Sequence, residues 1–406
     1  MLTAAIVFIV TYAIIGIQRI PRIHIDRPSG ALLGAVGMVA FGVLSLQEAY
    51  SAIDLDTLSF LLGMMILIAY LELSGFFEVL ERWIIGLARS TRMLLLLVVV
   101  SSGVLSALFM NDTICLLYTP VILRVTKRLS LNPVPYLIAL ATSANIGSVA
   151  TIIGNPQNAL IGLRSKIPFL EFSARLWPVA AVGLGLAFGL ILWRYRAEIH
   201  GKPLVVPPRR QPPQLSYWLL VISLTAGGAM FVLLALDFHP PSVAMGLASL
   251  VILAGSRQPR RALERVDWTL LFLFAGLFVV MRGVEQAGLV QLLLGGVDFN
   301  LGQSLRTWLG FGASVIAVSN LVSNVPAVML YAPLIQYQPS PESLWLLLAM
   351  ASTLAGNLTL IGSVANLIVV EAARDEAQIG FFEYLKVGLP LTMVTVLVGT
   401  IMLILQ

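Results

Sequence analysis

Two long apolar stretches of this sequence are each interrupted by a short polar group, and these interruptions constrain the fold more than any other feature. Residues 93–123 are almost wholly apolar except at Asn111-Asp112-Thr113, here called the first tip. The second tip, Ser323-Asn324-Val325, interrupts a similar stretch. Hydrocarbon supplies no water to loose backbone groups, so non-helical backbone at membrane depth must line a cavity or be buried in protein. Both tips are therefore predicted to lie at a cavity.

A membrane location follows from the composition. Apolar residues make up 58% of the 406 residues and charged residues only 11%, whereas a soluble chain carries roughly 25% charged residues. The sequence therefore predicts a polytopic membrane protein surrounded by the lipid bilayer. The formal net charge of +5 is typical of basic cytoplasmic loops, so we expect no nucleic-acid partner.

Metal and cofactor chemistry is not indicated. Cys115 is the single cysteine, which excludes an internal disulfide and a cysteine metal cluster. His24, His200 and His239 fall in or beside predicted loops without metal-ligand spacing. The chain has no G-x-x-x-x-G-K-[ST] loop, so ATP-driven catalysis is not expected from it. We expect no cofactor, no metal and no enzyme activity.

The two halves of the sequence repeat in register. Matching residues recur at a spacing of 213 up to the interrupted stretches and at a spacing of 208 after them. So many pairs in two consistent registers indicate an internal repeat. The pairs are Asp54/Asp267, Gly63/Gly276, Glu72/Glu285, Gly75/Gly288, Asn111/Asn324, Pro120/Pro333, Thr151/Thr359, Gly154/Gly362 and Asn158/Asn366.

Loop charges predict the topology. The first interrupted stretch has Arg92 before it and basic residues at 124, 127 and 128 after it. Because basic loops stay cytoplasmic, we interpret this stretch as a re-entrant hairpin that enters and leaves on the cytoplasmic side; a single broken crossing is the alternative. Each half then has five crossings and one hairpin, and an odd number of crossings inverts the second half.

The predicted fold is thus an all-α polytopic membrane protein, an inverted-topology repeat with about ten crossings in total. Residues 1–193 form the first repeat, residues 194–213 a cytoplasmic linker rich in proline and basic residues, and residues 214–406 the second repeat. Residues 74–89 are predicted to form an interfacial amphipathic helix. Both termini are predicted to lie outside the inner (plasma) membrane.

Polar residues at the tips, and in unwound helices predicted near residues 143–158 and 352–366, form the candidate site. Helix ends there expose unpaired backbone groups, and Asn, Ser and Thr add donors and acceptors. The alternative role of such residues is helix packing or capping; the pairing of Asn111 with Asn324 favours function. The predicted substrate-binding residues are Asn111, Thr113, Asn145, Ser148, Thr151, Asn155, Asn158, Ser323, Asn324, Thr353, Asn357, Thr359, Ser363 and Asn366.

Asp112 is the one charged residue in these stretches. A carboxyl group at membrane depth is expensive and typical of ion or proton pathways, so Asp112 is the predicted proton-coupling residue; its alternative role is a cap on the following helix. The lack of Arg, Lys or His there counts against a multiply charged anion held by salt bridges. Cys115 could offer a soft sulfur ligand, although a buried cysteine is commonly an inert hydrophobe.

These motifs resemble the ion transporter superfamily, which contains arsenite permeases, sodium/proton antiporters and divalent-anion/sodium symporters. The resemblance is carried by the first tip with Pro120, by residues 143–147 and 151–158, and by residues 356–363 with Asn366. It covers nearly the whole chain and implies secondary transport, a substrate bound between the tips, and a homodimer. The dicarboxylate symporters carry Ser-Asn-Thr at both tips, so Asn-Asp-Thr here is more similar to the arsenite permease branch.

The resemblance and the acidic tip together predict arsenite and antimonite efflux by proton antiport with alternating access. An unpaired carboxylate would repel a dicarboxylate but suits an uncharged hydroxide such as arsenous acid. A sodium/proton antiporter, a sodium-coupled inorganic or carboxylate anion symporter and a channel are the alternatives. The expected partners are a small inorganic substrate, a proton or sodium as coupling ion, a second copy of the chain, and a separate cytoplasmic ATPase subunit.

Overall fold

The computed structural model describes residues 1–17, 26–199, 201, 203–204, 215–255, 259–302, 304–338 and 341–406. Within these ranges the regular structure is helical, without a strand. Seven of the described helices are long and apolar enough to cross a membrane, which confirms the predicted all-α membrane fold. The count of about ten crossings stays a prediction, because it also requires shorter helices.

The helices follow the same order in both halves of the sequence. The first half contains α1 (Leu2–Ile17), α2 (Arg27–Ala40), α3 (Leu46–Ala52), α4 (Leu55–Leu73), α5 (Phe76–Leu87), α6 (Thr91–Leu108), α7 (Asn111–Arg128), α8 (Val134–Ser148), α9 (Pro156–Ser165) and α10 (Phe169–Arg194). The second contains α11 (Tyr217–Ala235), α12 (Pro240–Ala254), α13 (Pro259–Leu263), α14 (Trp268–Gln286), α15 (Leu289–Leu294), α16 (Leu305–Val322), α17 (Asn324–Ile335), α18 (Pro341–Ala355), α19 (Val364–Ala373) and α20 (Phe381–Ile404).

Both interrupted stretches form two-helix units that break at the tips, as the sequence predicts. The break between α6 and α7 lies at the first tip, and the break between α16 and α17 lies at the second. Corresponding hydrogen bonds join the arms of each unit. Ser101 and Tyr118 lie 2.5 Å apart through their hydroxyl groups, and Tyr331 donates to Ser314 at 2.8 Å. These equivalent bonds hold the two breaks in similar settings.

Each half packs a helix tightly against a helix of the other half, α4 against α12 and α14 against α2. A Cβ atom built on Gly63 in α4 would lie 2.6 Å from the Ala244 carbonyl carbon in α12, and one on Gly276 in α14 would lie 2.7 Å from the Ala31 carbonyl carbon in α2. The two contacts correspond residue for residue at the spacing of 213. Glycine is thus required at both crossings, because any side chain would force the helices apart. The inversion of the halves across a membrane stays a prediction.

The broken helices unwind at different residues from those expected. Residues 143–148 belong to α8 and residues 352–355 to α18, so the unwound segments are 149–155 and 356–363, the latter with a short 3₁₀ turn, Leu360–Gly362. The small residues of α8 serve close packing instead. A Cβ atom on Gly147 would lie 2.0 Å from the Gly103 backbone oxygen in α6, so small size here reflects helix contact rather than unwinding.

The remaining predicted segments are placed in part. Helix α5 falls within residues 74–89, where an interfacial helix is predicted. The predicted linker, residues 194–213, lies mostly outside the described residues, as do His24 and His200. The repeat boundaries at 193 and 214 therefore stay predictions.

Candidate functional site between the two tips

A cavity of about 420 Å³ lies between the two tips, and its volume is within the range of small-molecule sites. Asn111 and Asp112 line it from the first tip, and Ser323 and Asn324 line it from the second. The structure thus brings together two sequence positions that are 213 residues apart.

Four helices begin at this cavity. The first residues of α7, α9, α17 and α19 are Asn111, Pro156, Asn324 and Val364, and all four line it. The N-terminus of a helix carries a partial positive charge. The cavity therefore has several backbone sources of positive potential, which suit a negatively charged or electron-rich group.

The direction of a side-chain hydrogen-bond chain behind the first tip is fixed by backbone carbonyl groups. The Asn366 Nδ2 group donates to the Gly356 oxygen at 2.7 Å and to the Thr359 oxygen at 3.1 Å. The Asn357 Nδ2 group donates to the Thr142 oxygen at 3.2 Å. A carbonyl oxygen can only accept, so both asparagines must turn their Oδ1 atoms the other way.

Those two Oδ1 atoms accept hydrogen bonds from the Asn145 Nδ2 group, each at 3.0 Å. The Asn145 Oδ1 atom in turn accepts from Asn111 Nδ2 at 3.0 Å and from the Ser363 hydroxyl at 3.1 Å. The four asparagines, here called the amide chain, thus run from Asn366 and Asn357 through Asn145 to Asn111. The chain links both halves of the protein to the first tip.

The amide chain ends in an unpaired acceptor. Because Asn111 Nδ2 is bound to Asn145, the Asn111 Oδ1 atom is the free end, and it has no hydrogen-bond partner among the described groups. The Oδ1 atom of Asn324 at the second tip is likewise without a partner in the described part of the chain. A buried acceptor without a partner is unfavourable by about 1–3 kcal/mol, so both tips have a hydrogen-bonding capacity that a ligand could satisfy.

A second polar group fills the break between α8 and α9. The Asn155 Nδ2 group donates to the Ser148 hydroxyl at 2.9 Å and to the Thr353 hydroxyl at 3.1 Å. The Asn158 Nδ2 group donates to the backbone oxygens of Ser148 at 3.0 Å and Thr151 at 3.1 Å. These side chains satisfy the carbonyl groups that the helix break leaves unpaired.

Two threonines tie the breaks to the neighbouring arms. Thr151 donates to the Ala107 oxygen of α6 at 2.7 Å, and Thr359 donates to the Asn320 Oδ1 atom of α16 at 3.1 Å. The positions correspond between the halves, since 107 and 320 differ by 213 and 151 and 359 by 208. Each broken helix is therefore fixed to the arm that carries a tip.

The predicted site residues divide into three groups. Five line the cavity: Asn111, Asp112, Ser323, Asn324 and Ser363. Nine others lie behind it in the hydrogen-bonded groups just described: Asn145, Ser148, Thr151, Asn155, Asn158, Thr353, Asn357, Thr359 and Asn366. Thr113 and Cys115 belong to neither group, and Cys115 is 0% exposed. The role of each in substrate binding stays a prediction.

Asp112 differs from its expected surroundings. It does not cap its own helix, since the N-cap of α7 is Met110 without a side-chain bond. Its carboxyl group instead lies close enough to the backbone N–H of Ala365, in the first turn of α19, to interact with it. The Arg27 guanidinium also lines the cavity, and its charge interacts with that of Asp112. The unpaired carboxylate therefore stays a prediction, with Arg27 as the basic residue that shares its cavity.

Arg27 is the residue that sequence reasoning missed. It resembles a loop residue because basic positions precede it, yet it is the first residue of α2. Asp26 caps this helix by accepting from the Ser29 N–H at 2.9 Å, with Pro28 in the first turn. Asp-Arg-Pro-Ser is a recognisable helix start. This signal could have assigned Arg27 to α2 instead of to the preceding loop.

Solved structures with the same architecture are transporters. MtrF of Neisseria gonorrhoeae, described within a class of antimetabolite efflux pumps, aligns with a TM-score of 0.58 and 14% identity over 99% of this chain and 93% of its own. The YdaH transporter of Alcanivorax borkumensis aligns with a TM-score of 0.54 and 15% identity over 100% and 96%. The protein therefore has the fold of a multi-pass membrane transporter.

Sequence comparison identifies the family. Residues 6–340 match the citrate transporter family. The silicon efflux transporter of Oryza sativa subsp. japonica is 31% identical over 94% of this chain and 93% of its own length. The putative transporter arsB of Dictyostelium discoideum is 24% identical over 93% and 87%. The chain belongs to the citrate transporter family, within the ion transporter superfamily predicted from its motifs. It is a secondary transporter, and its relatives are transporters rather than enzymes.

Proposed function

We propose that this chain exports arsenite and antimonite, as their uncharged hydroxides, in exchange for protons by alternating access. The binding site is the cavity between the tips, and Asp112 carries the proton. The plasma (inner) membrane is the proposed location, with both termini outside. A homodimer and a separate ATPase subunit stay predictions.

The unpaired acceptors at the tips carry this proposal. Asn111 Oδ1 and Asn324 Oδ1 require a hydrogen-bond donor or a cation. The Asn111 Nδ2 group has a second hydrogen besides the one bonded to Asn145, so Asn111 can donate as well as accept at the cavity. An uncharged hydroxide donates through each of its hydroxyl groups, whereas an ionised carboxylate only accepts. A small hydroxide can therefore satisfy the unpaired acceptors and also use the remaining donor at the tips, whereas a carboxylate can use the donor alone.

Asp112 is suited to proton coupling by its position. It is the only acidic residue among the described residues that line the cavity, and it is 9% exposed. An uncharged substrate carries no charge of its own, so a proton gradient can drive it only through a separate titrating group. A carboxyl group at membrane depth is the common choice for such a role.

The lining of the cavity supports entry from the cytoplasm. Tyr12 near the end of α1, Arg27 at the start of α2 and Leu270 near the start of α14 all line it. The basic residues in the adjoining loops support a cytoplasmic position for these three helix ends. The relative named for silicon efflux supports both direction and chemistry, because silicon and trivalent arsenic each occur near neutral pH as uncharged hydroxides.

A sodium-coupled anion symporter is the second candidate. Arg27 and the four helix N-termini supply positive charge to the cavity, and the matching family is described by citrate transport. Oxygen atoms at the tips would also serve sodium, which a sodium/proton antiporter would use as well. Transport by either sodium-coupled mechanism would depend on sodium, whereas arsenite efflux by proton antiport would not.

Uptake into everted membrane vesicles separates the candidates. Vesicles with an acidic interior should accumulate arsenite without added sodium, and collapse of the pH gradient should release it. Vesicles from cells that lack the transporter provide the control. An absence of arsenite accumulation, together with citrate movement driven by a sodium gradient, would overturn the proposal in favour of the second candidate.

A further inference from the structure

Arg27 is held at the wall of the cavity by the packing of its helix. Helix α2 lies tightly against α14, where Gly276 leaves no room for a side chain opposite Ala31. Helix α14 itself lines the cavity through Leu270 and Leu273. The capped start of α2 at Asp26 fixes Arg27 as the first helical residue. Its position at the cavity is therefore set by helix packing.

The charges around the cavity are few. Among the described residues that line it, Asp112 and Arg27 are the only charged ones, and their charges interact. Asp267, which caps α14 by accepting from the Leu270 N–H at 3.0 Å, also interacts electrostatically with Asp112. The described lining thus contains one acidic and one basic side chain.

The oxygen atoms at the tips resemble the ligands of a cation site. The Asp112 carboxylate and the unpaired Oδ1 atoms of Asn111 and Asn324 belong to residues that line one cavity. Carboxylate and amide oxygens are the ligands that hard metal cations prefer in proteins. The unpaired oxygens accept either a hydroxyl donor or a cation, so the electrostatic surroundings decide which one binds.

We propose that Arg27 is a specificity-determining residue whose positive charge excludes sodium from the oxygen atoms at the tips, leaving them to uncharged hydroxyl donors. This inference rests on the proposed function, because it explains why that site takes a hydroxide rather than a cation. A unit positive charge beside the carboxylate opposes cation binding by several times the thermal energy in partly buried surroundings.

Binding of radioactive sodium to the purified, full-length protein tests the inference. Arg27→Gln should bind sodium at least about tenfold more tightly than the wild type, because one positive charge has been removed from the cavity wall. Arg27→Lys keeps the charge and should behave like the wild type. The double variant Arg27→Gln/Asp112→Asn removes both charges, so the gain in sodium affinity should disappear.

A second variant tests the same charge without altering Arg27. Asp112→Asn removes the negative charge from a cavity that Arg27 also lines, so this cavity should bind radioactive chloride at least about tenfold more tightly than the wild type does. This measurement decides the matter if Arg27→Gln fails to elute as a single folded species in gel filtration. Unchanged chloride binding in Asp112→Asn would then overturn the inference.

The inference and the proposed function fail in different ways. Equal sodium binding by the wild type and Arg27→Gln would show that Arg27 excludes nothing, whatever the substrate is. A sodium gain in Arg27→Gln combined with a wild type that moves no arsenite would leave Arg27 as the charge filter and remove arsenite as the substrate.

Discussion

The first and second tips share an asparagine that begins a helix, but they differ in charge and in backbone conformation. Asp112 in the first tip corresponds to Val325 in the second. Met110, which precedes the first tip, has ordinary extended dihedrals, whereas its counterpart Ser323 has φ 76° and ψ 162°. The repeat therefore gives both tips a similar helix start, while their charge and backbone conformation differ.

The backbone of Ser323 is strained. Its φ and ψ values fall in a region that glycine alone populates readily, and such a conformation costs about 1–3 kcal/mol. Strain of this kind persists only where the surrounding structure imposes it. Here it directs the chain into α17, so that Asn324 begins the helix at the cavity.

The asparagines of the two tips are also held differently. Asn111 donates its Nδ2 group to Asn145 at 3.0 Å and its backbone N–H to the Gly154 oxygen at 2.9 Å. Among the described residues, Asn324 has no comparable amide partner. The first tip is thus anchored to the break between α8 and α9 and to Asn145 by one backbone and one side-chain hydrogen bond. This comparison teaches that sequence symmetry preserves position while letting charge, strain and anchoring diverge.

The largest expected effect concerns the side of the membrane on which each hairpin ends. In a Cys115→Ala background, Lys127→Cys at the end of α7 should react with an impermeant thiol reagent only from the cytoplasm. Tyr337→Cys, just past α17 and 82% exposed, should react only from outside. Labelling is measured in right-side-out and everted vesicles. Reaction of both cysteines from one side would break the inverted repeat.

Asp112, the acidic residue of the first tip, should govern the coupling of arsenite transport to the proton gradient. Asp112→Asn keeps the shape of the side chain but cannot titrate, so it should allow downhill arsenite exchange and fail to accumulate arsenite under an imposed pH gradient. Val325→Ala, at the corresponding position of the second tip, is the matched control and should still accumulate arsenite. Accumulation by Asp112→Asn at the wild-type level would mean that the proton travels by another route.

Asn111 and Asn324 should contribute similarly to substrate affinity but differently to the stability of the protein. Asn111→Ala and Asn324→Ala each remove a hydrogen-bonding group worth about 1–1.5 kcal/mol, so substrate affinity should fall roughly tenfold. Asn111→Ala should also lower the free energy of unfolding by about 1–2 kcal/mol, because it breaks the amide chain. Arsenite counterflow and thermal unfolding measure the two effects.

Leu116→Ala is the control for this pair. Leu116 lies on α7, is 50% exposed and is not among the residues that line the cavity. It should change neither arsenite affinity nor the exchange rate. Normal counterflow in both asparagine variants would place the substrate elsewhere than between the tips.

The smallest effect concerns backbone strain. Ser323→Gly should raise the free energy of unfolding by about 1 kcal/mol, because glycine adopts φ 76° without strain. Met110→Gly, its counterpart, should lower stability by about 2–5 kcal/mol, because it deletes a side chain that is 2% exposed and its ordinary dihedrals gain nothing from glycine. Thermal unfolding in one detergent compares them. Equal destabilisation by both substitutions would contradict the assignment of strain to Ser323.

The helix breaks and the repeat could be predicted because their signals are local. A polar group inside an apolar stretch marks a tip, and recurring residue types at a fixed spacing mark the repeat. The role of residues 143–148 was misjudged for a physical reason. Small residues fit both an unwound segment and a close helix contact, and only the approach of Gly147 to Gly103 decides between them.

The sequence by itself determined where the membrane helices lie, which stretches break, and which family the motifs resemble, because apolar length and residue type act within a few turns. Only the tertiary structure decided which polar side chains line the cavity and which satisfy backbone groups behind it. Asn145 finds its partners Asn357 and Asn366 at separations of 212 and 221 residues. Arg27 likewise shares a cavity with Asp112 only through the packing of α2 on α14. Such hydrogen bonds and charge pairs depend on positions in space, which no local pattern encodes.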